Sequence, residues 1–326
     1  MKKILIIRFS SIGDIVLTTP LIRCLYEQLP GAEIHYLTKE KFYKILEANP
    51  YIHKTHLFRD DLKGVIRILK KEHFDFVVDL HRNIRSARVK IALRKPSDTF
   101  RKLNFEKWLR VNLKTGKLPD IHIVDRYFEA VKQLNVRNDG QGLDYFIPDE
   151  DLLTHNDLPG IYSGGFVALV VGAMHCTKMM PVDRLMELCR MIDKPIILLG
   201  GPDDHARAQQ IASVSSERIY NACGSFNINQ SASLIRLAGK VITHDTGLMH
   251  IAAAFRKEIY SLWGNTIPEF GMYPYLPEGE GKSVIMQTLG LSCRPCSKIG
   301  FAKCPKKHFK CMKDIDLEKL AAMINE

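Results

Sequence analysis

Short apolar runs alternate with helical periodicity twice along this chain, and that alternation limits the possible folds more than any other feature. Lys3–Phe9, Glu33–Thr38 and Phe74–Leu80 read as strands, interleaved with helical stretches at Asp14–Leu29, Lys39–Ala48, Leu62–Glu72 and Ile84–Leu93. Strands and helices in strict alternation build a parallel sheet covered on both faces. From Asp98 to Leu134 the pattern reads as mostly helical. Residues 148–165 then turn rich in Pro, Gly, Asp and Asn, the signature of a linker. Beyond it the alternation restarts, with strands at Phe166–Val171, Pro195–Leu199, Lys240–Thr243 and Glu258–Leu262. The expected architecture is α/β: two doubly wound, Rossmann-like domains, residues 1–158 and 159–326, facing across a cleft.

Composition removes several classes. With 46% apolar and 25% charged residues, the chain has the make-up of a globular protein rather than a disordered or disulfide-stapled one. No run approaches the roughly 18 apolar residues of a membrane span. The apolar run Ile4–Ile7 stops at Arg8, too short for a signal peptide, so a cytoplasmic chain is expected. The net charge is +11, and almost all of it lies between His81 and Lys117, where 12 basic residues face two acids. Such a segment attracts anions: nucleic acid, acidic lipid headgroups or an anionic substrate.

The turns after the strands carry the chemistry. Arg8-Phe-Ser-Ser-Ile-Gly-Asp14 holds one glycine, so it lacks the G-x-G-x-x-G that a dinucleotide requires. Gly279–Ser283 imitates the end of a P-loop, but Leu276 stands where the earlier glycine is needed. Asp14 sits where a helix begins. It reads either as a capping carboxylate or as a general base at the carboxyl edge of the sheet. In the second half, Val241–His250 runs from a strand into His244-Asp-Thr-Gly247 and directly into a helix, whose free amides suit a phosphate. Thr177-Lys178 and Leu199–Asp204 are two further strand-end turns that would face the same edge of a parallel sheet. Three such turns together favour a nucleotide-phosphate site.

The order of these motifs resembles glycosyltransferase family 9, the ADP-heptose–lipopolysaccharide heptosyltransferases. The resemblance is carried by Arg8–Pro20, Gly172–Lys178, Leu199–Pro202, Asn221–Gly224, Val241–Ala254 and Ser261–Thr266. It implies the GT-B architecture, with the acceptor on the N-terminal domain and the nucleotide sugar on the C-terminal one. It also implies inverting transfer of a heptose from ADP-heptose to the Kdo or heptose of a lipopolysaccharide inner-core acceptor, with no metal and no cofactor. By motif, Asp14 is the catalytic base. Thr177 and Lys178 grip the donor diphosphate, while Asp245, Thr246, Gly247 and His250 form the nucleotide site. Arg82 and Arg85 contact the acidic, lipid-linked acceptor, which would give the basic segment a purpose and bring the protein to the cytoplasmic face of the inner membrane. The family's lysine is usually followed by an aromatic residue and proline; here Met179-Met180-Pro181 follows, leaving another nucleotide-sugar donor as the alternative. A nucleic-acid-binding protein is the alternative from a different class, and no nucleic-acid partner is expected.

Four of the eight cysteines, Cys293, Cys296, Cys304 and Cys311, cluster near His308 with spacing close to that of a structural zinc site. Reduced thiols packing a loop are expected rather than a metal. Zinc and a reversible disulfide stay open as alternatives, the disulfide being disfavoured in a reducing compartment.

Overall fold

In the computed structural model, which describes residues 2–326, the two alternations become two parallel sheets. The first holds β1 (Lys3–Ile7), β2 (Glu33–Lys39), β3 (Lys54–Phe58), β4 (Phe76–Asp79) and β5 (Ser97–Thr99), in the order β3-β2-β1-β4-β5. The second holds β6 (Val167–Val170), β7 (Ile196–Leu199), β8 (Ile219–Asn221), β9 (Lys240–His244), β10 (Glu258–Trp263) and β11 (Lys282–Gln287), in the order β11-β10-β9-β6-β7-β8. Every ladder is parallel. Two compact units result: residues up to Lys102 with Ile121–Pro148, and Leu103–Asp120 with Asp149–Glu326.

Four strands differ from the sequence reading. β3, β5, β8 and β11 are short or sit at a sheet edge, and their partly or fully exposed polar residues hide the apolar signature. β5 in particular opens a stretch expected to be helical. Its three residues are all at least partly exposed, so no buried run marks them.

Burial is strongest in the central strands. Ile4–Ile7 of β1 and all of β6, β7 and β4 are buried, as strands covered on both faces must be. One core of the first unit gathers Leu5, Ile7, Leu37, Val77, Leu69 and Val89 from three strands and two helices. In the second unit, the helix Leu317–Asn325 lays Leu317, Leu320 and Ile324 into a core with Leu169 and Leu198. Helix starts are capped by side chains: Asp61 accepts the Gly64 amide, Asn83 that of Ser86, and Asn227 those of Asn229 and Gln230.

Both orders contain a split. In the first sheet, β2 and β3 extend one way from β1 and β4 and β5 the other. In the second, β7 and β8 extend one way from β6, while β9 to β11 extend the other. At such a split the turns after two neighbouring strands diverge, and ligands of open α/β sheets collect there.

Candidate active site

In the first unit the split lies between β1 and β4, so Arg8–Asp14 and Leu80–Asn83 leave the sheet side by side. Arg8 is 8% exposed and joins the two turns. Its Nε donates to the Ser10 carbonyl at 2.8 Å, one Nη to the Leu80 carbonyl, and the other Nη lies 2.6 Å from Asp14 Oδ1. Asp14 stands in the first turn of the helix Ile12–Val16, and its Oδ2 accepts both the amide and the hydroxyl of Ser11, at 3.1 and 2.8 Å. Burial alone would raise its pKa. The Arg8 charge and the Ser11 donors outweigh burial and hold the carboxyl below its usual value.

Cationic and neutral groups surround this pair. Burial and then the Arg8 charge push the His81 imidazole down to about 4, so it is neutral at pH 7. Its ring stands edge-on to Phe9, with centroids 5.1 Å apart. Burial, followed by Arg8, also lowers the pKa of Lys102. Tyr127 is fully buried, and its hydroxyl has no hydrogen-bond partner among the described residues. The buried Asp79 carboxylate accepts the amides of His81 and Arg82, at 3.0 and 2.7 Å, and holds Lys90 at 3.2 Å. Arg82 turns there with φ 47° and donates to the Phe100 carbonyl at 3.1 Å. Arg85 lies over the Phe58 ring instead, 5.8 Å from its centroid. Both arginines are exposed and follow β4, but they head to different neighbours.

In the second unit the split lies between β6 and β9, bringing Thr177-Lys178 and Asp245–Gly247 to one sheet edge. Lys178 Nζ is 2.6 Å from Asp245 Oδ2 and 3.3 Å from the Asp245 carbonyl oxygen. Thr266, after β10, donates its hydroxyl to the same Oδ2 at 3.0 Å. Thr246 precedes the helix Gly247–Ala254 without a side-chain bond to it, so the helix's first amides open beside this pair. His244 is buried, its Nε2 accepts the Met180 amide at 3.0 Å, and burial pushes its pKa down to about 3. His250 is 2% exposed, inside the same helix.

Two details depart from the sequence reading. The Thr177 hydroxyl, expected on a phosphate, is committed to Phe301: it accepts the Phe301 amide at 2.8 Å and donates to the carbonyl at 3.2 Å. It pins the turn that presents Lys178. In the turn Leu199–Asp204, expected to face a nucleotide phosphate, Gly200 makes room for Asp204. A Cβ on Gly200 would lie 2.8 Å from Asp204 Oδ2, and one on Gly172 would lie 2.0 Å from it. Arg8, Thr266 and Phe301 were not foreseen. For Arg8 a signal existed, a charge directly after a buried strand.

The four C-terminal cysteines are all unpaired, and Cys293 Sγ lies 3.7 Å from His308 Nε2. Among the described residues, the trio with ligand atoms all within 4.8 Å is elsewhere, at His35, His56 and Glu72. There the two imidazoles share a hydrogen bond of 2.9 Å, and Glu72 is already paired with Lys3 and Lys54. Two lysines on the one carboxylate oppose a cation, so this trio reads as a buried polar bridge between strands.

A model of glycosyltransferase family 9 (heptosyltransferase) matches residues 63–302. The chain belongs to this family. Lipopolysaccharide heptosyltransferase 1 of Campylobacter coli is 25% identical over 289 residues, 81% of this chain and 84% of that protein. Lipopolysaccharide heptosyltransferase 2 of Escherichia coli is 23% identical over 301 residues, with 82% and 84% covered. The solved structure of the E. coli ADP-heptose heptosyltransferase II superposes on the whole chain and on 98% of its own, with TM-score 0.73 and 20% identity. The family 9 protein of Veillonella parvula gives TM-score 0.70 at 22% identity, with 88% and 86% covered. The family 9 chain is therefore a glycosyltransferase of GT-B fold, with one doubly wound sheet in each unit. Among its described residues, no helix is long and apolar enough to cross a membrane.

Proposed function

We propose that this glycosyltransferase moves a heptose from ADP-heptose to an anionic, lipid-linked inner-core saccharide of lipopolysaccharide, with inversion at the transferred carbon. The observation that carries this reading is the Lys178–Asp245–Thr266 cluster beside the amides opening the helix Gly247–Ala254, at the split of the second sheet. A nucleoside diphosphate that leaves with growing negative charge needs a cation and oriented amides where that charge develops. Lys178 and the amide of Gly247 have this character, and Asp245 aims the ammonium. The relatives named for ADP-heptose and lipopolysaccharide support the choice of donor and acceptor.

On the first unit, Asp14 serves as base. The acceptor hydroxyl gives its proton to the carboxylate as its oxygen bonds to the anomeric carbon. The bond from that carbon to the diphosphate oxygen breaks, and its electron pair leaves with ADP. Arg8 fixes Oδ1 and Ser11 fixes Oδ2, so the carboxylate is ionised and oriented, at the expense of basicity. Proton transfer then belongs late in the step, once the attacking oxygen has become acidic. Arg82, Arg85 and the surrounding basic residues receive the acceptor's anionic groups, and the lipid carried by that acceptor brings the protein to the cytoplasmic face of the inner membrane.

The test is a thermal-shift panel of ADP, UDP, GDP and CDP, with donor analogues of each. ADP and ADP-heptose should raise Tm as their concentration passes Kd. Stabilisation by UDP alone would replace the donor, and indifference to all four would remove the phosphate site from this edge.

A further inference from the structure

The helix Asn104–Asn112 is built inside out. It has no buried residue, and its segment from Leu103 to Lys117 carries four basic residues against the single acid Glu106. Phe105, Trp108, Leu109 and Leu113 recur at i, i+3, i+4 and i+8, which puts them on one stripe. In a surface helix that stripe normally faces the core. Here Phe105, Trp108 and Leu113 are 68%, 52% and 56% exposed. The opposite side holds the helix to its own unit: Lys107 lies 5.3 Å from the centre of the Phe270 ring, and Lys114 Nζ donates to the carbonyls of Cys293 and Pro295. Polar contacts thus face inward and apolar side chains outward, the reverse of what water selects.

We infer that this face is a docking surface for an anionic lipid bilayer, with Phe105, Trp108 and Leu113 entering the headgroup region and Arg110 and Lys117 beside them meeting lipid phosphates. Aromatic and leucine side chains on one face of a helix flanked by lysine and arginine are the pattern of interfacial helices. With Lys107 and Lys114 held against the unit, Arg110 and Lys117 outnumber Glu106 in this segment, a net basic balance complementary to an anionic leaflet. The inference rests on the proposed lipid-linked acceptor and names the part of the chain that reaches the membrane.

Trp108 supplies its own reporter. The chain has two tryptophans, and the other, Trp263, is 1% exposed. The full-length protein is mixed with phosphatidylcholine vesicles, with and without phosphatidylglycerol, and with vesicles of brominated lipid. Binding is read by sedimentation and emission by fluorescence. Expected are sedimentation with anionic vesicles that weakens with salt, a blue shift, and quenching by brominated lipid. The double variant F105S/W108S, whose side chains support no core, should lose binding by about tenfold or more. If the parent sediments with anionic vesicles but Trp108 is not quenched and the variant binds equally, this face is wrong while the lipid-linked acceptor stands. If the parent ignores anionic vesicles, the membrane reading falls with it. If Trp108 is shielded without vesicles, in step with self-association, the occupant is a second copy and the inference is overturned.

Discussion

Asp14→Asn separates the proposed role of this carboxylate as a base from its pairing with Arg8 and Ser11. Asparagine keeps the volume and an acceptor for the Ser11 amide, so as a helix cap it costs little. It removes the charge that Arg8 faces at 2.6 Å, however, and Arg8 is 8% exposed. Leaving a buried charge without its partner costs about 3–5 kcal/mol. With 23% of the Asp14 side chain still open to water, about 3 kcal/mol is expected. Turnover should fall on the order of 10²–10⁴-fold, the range for a lost general base. Adding Arg8→Met to the Asn variant removes the orphaned charge, so most of the stability should return while activity does not. Arg8→Gln alone should move the acidic limb of the pH–rate profile upward, because burial, which raises the Asp14 pKa, is then opposed by the Ser11 donors alone. Denaturant unfolding gives the stabilities and initial rates give the turnover. Turnover in the Asn variant within about threefold of the parent would leave Asp14 a cap and pairing group only. A stability loss below about 1 kcal/mol would show that the Arg8 charge finds water after all.

Lys178→Ala should weaken ADP binding in calorimetry and lower kcat together, since the ammonium serves both ground and transition state; unchanged kinetics would move the phosphate grip elsewhere. Asp245→Ala frees Lys178 from its 2.6 Å contact and should weaken donor affinity more than kcat, so normal nucleotide affinity would contradict its placement. Exchanging Arg82 and Arg85 for Gln should raise the acceptor KM and leave ADP affinity intact, and equal loss of both would make the two arginines structural. Finally, His56 and His81, held neutral at pKa values of about 4, and His244, at about 3, bind protons more readily when unfolded. Their contribution to stability should therefore be constant above pH 7 and be lost as pH drops from about 6.5 towards 4, each group contributing up to about 1.4 kcal/mol per pH unit. Tm measured across that range checks the sign, and an unchanged Tm down to pH 5 would refute it.

The central strands of both sheets were legible because burial on two faces writes an uninterrupted apolar run, as in Ile4–Ile7 and Ile196–Leu199. Edge strands such as β3 and β11 were not, since most of their residues are exposed or only half-buried. The strand-end turns were also legible as polar clusters gathered at one sheet edge, because each directly follows a buried run of a parallel strand. What each polar group does inside the turn was not. Thr177 and Lys178 are adjacent, yet the hydroxyl closes on Phe301, more than a hundred positions away, and the ammonium on Asp245. Leu199–Asp204 read as a turn facing a phosphate, and the space beside Gly172 and Gly200 is taken by Asp204. Such assignments depend on contacts between distant turns, which periodicity and spacing do not encode.

The split between β6 and β9 also bears on how a family of this kind diversifies. Lys178, Asp245 and Thr266, proposed to meet the donor, follow the ends of β6, β9 and β10. A lineage can therefore exchange half-buried Met179 beside the proposed donor groups, while Met180, packed in the core with Leu169 and Leu198, stays under the same selection as the residues that hold the sheet. The aromatic-proline step replaced here by Met179-Met180-Pro181 is where such drift would first become visible. A library confined to half-buried Met179 would explore new donors at little risk to the scaffold, whereas Met180 and Asn265, at 0% and 1% exposed, are part of it.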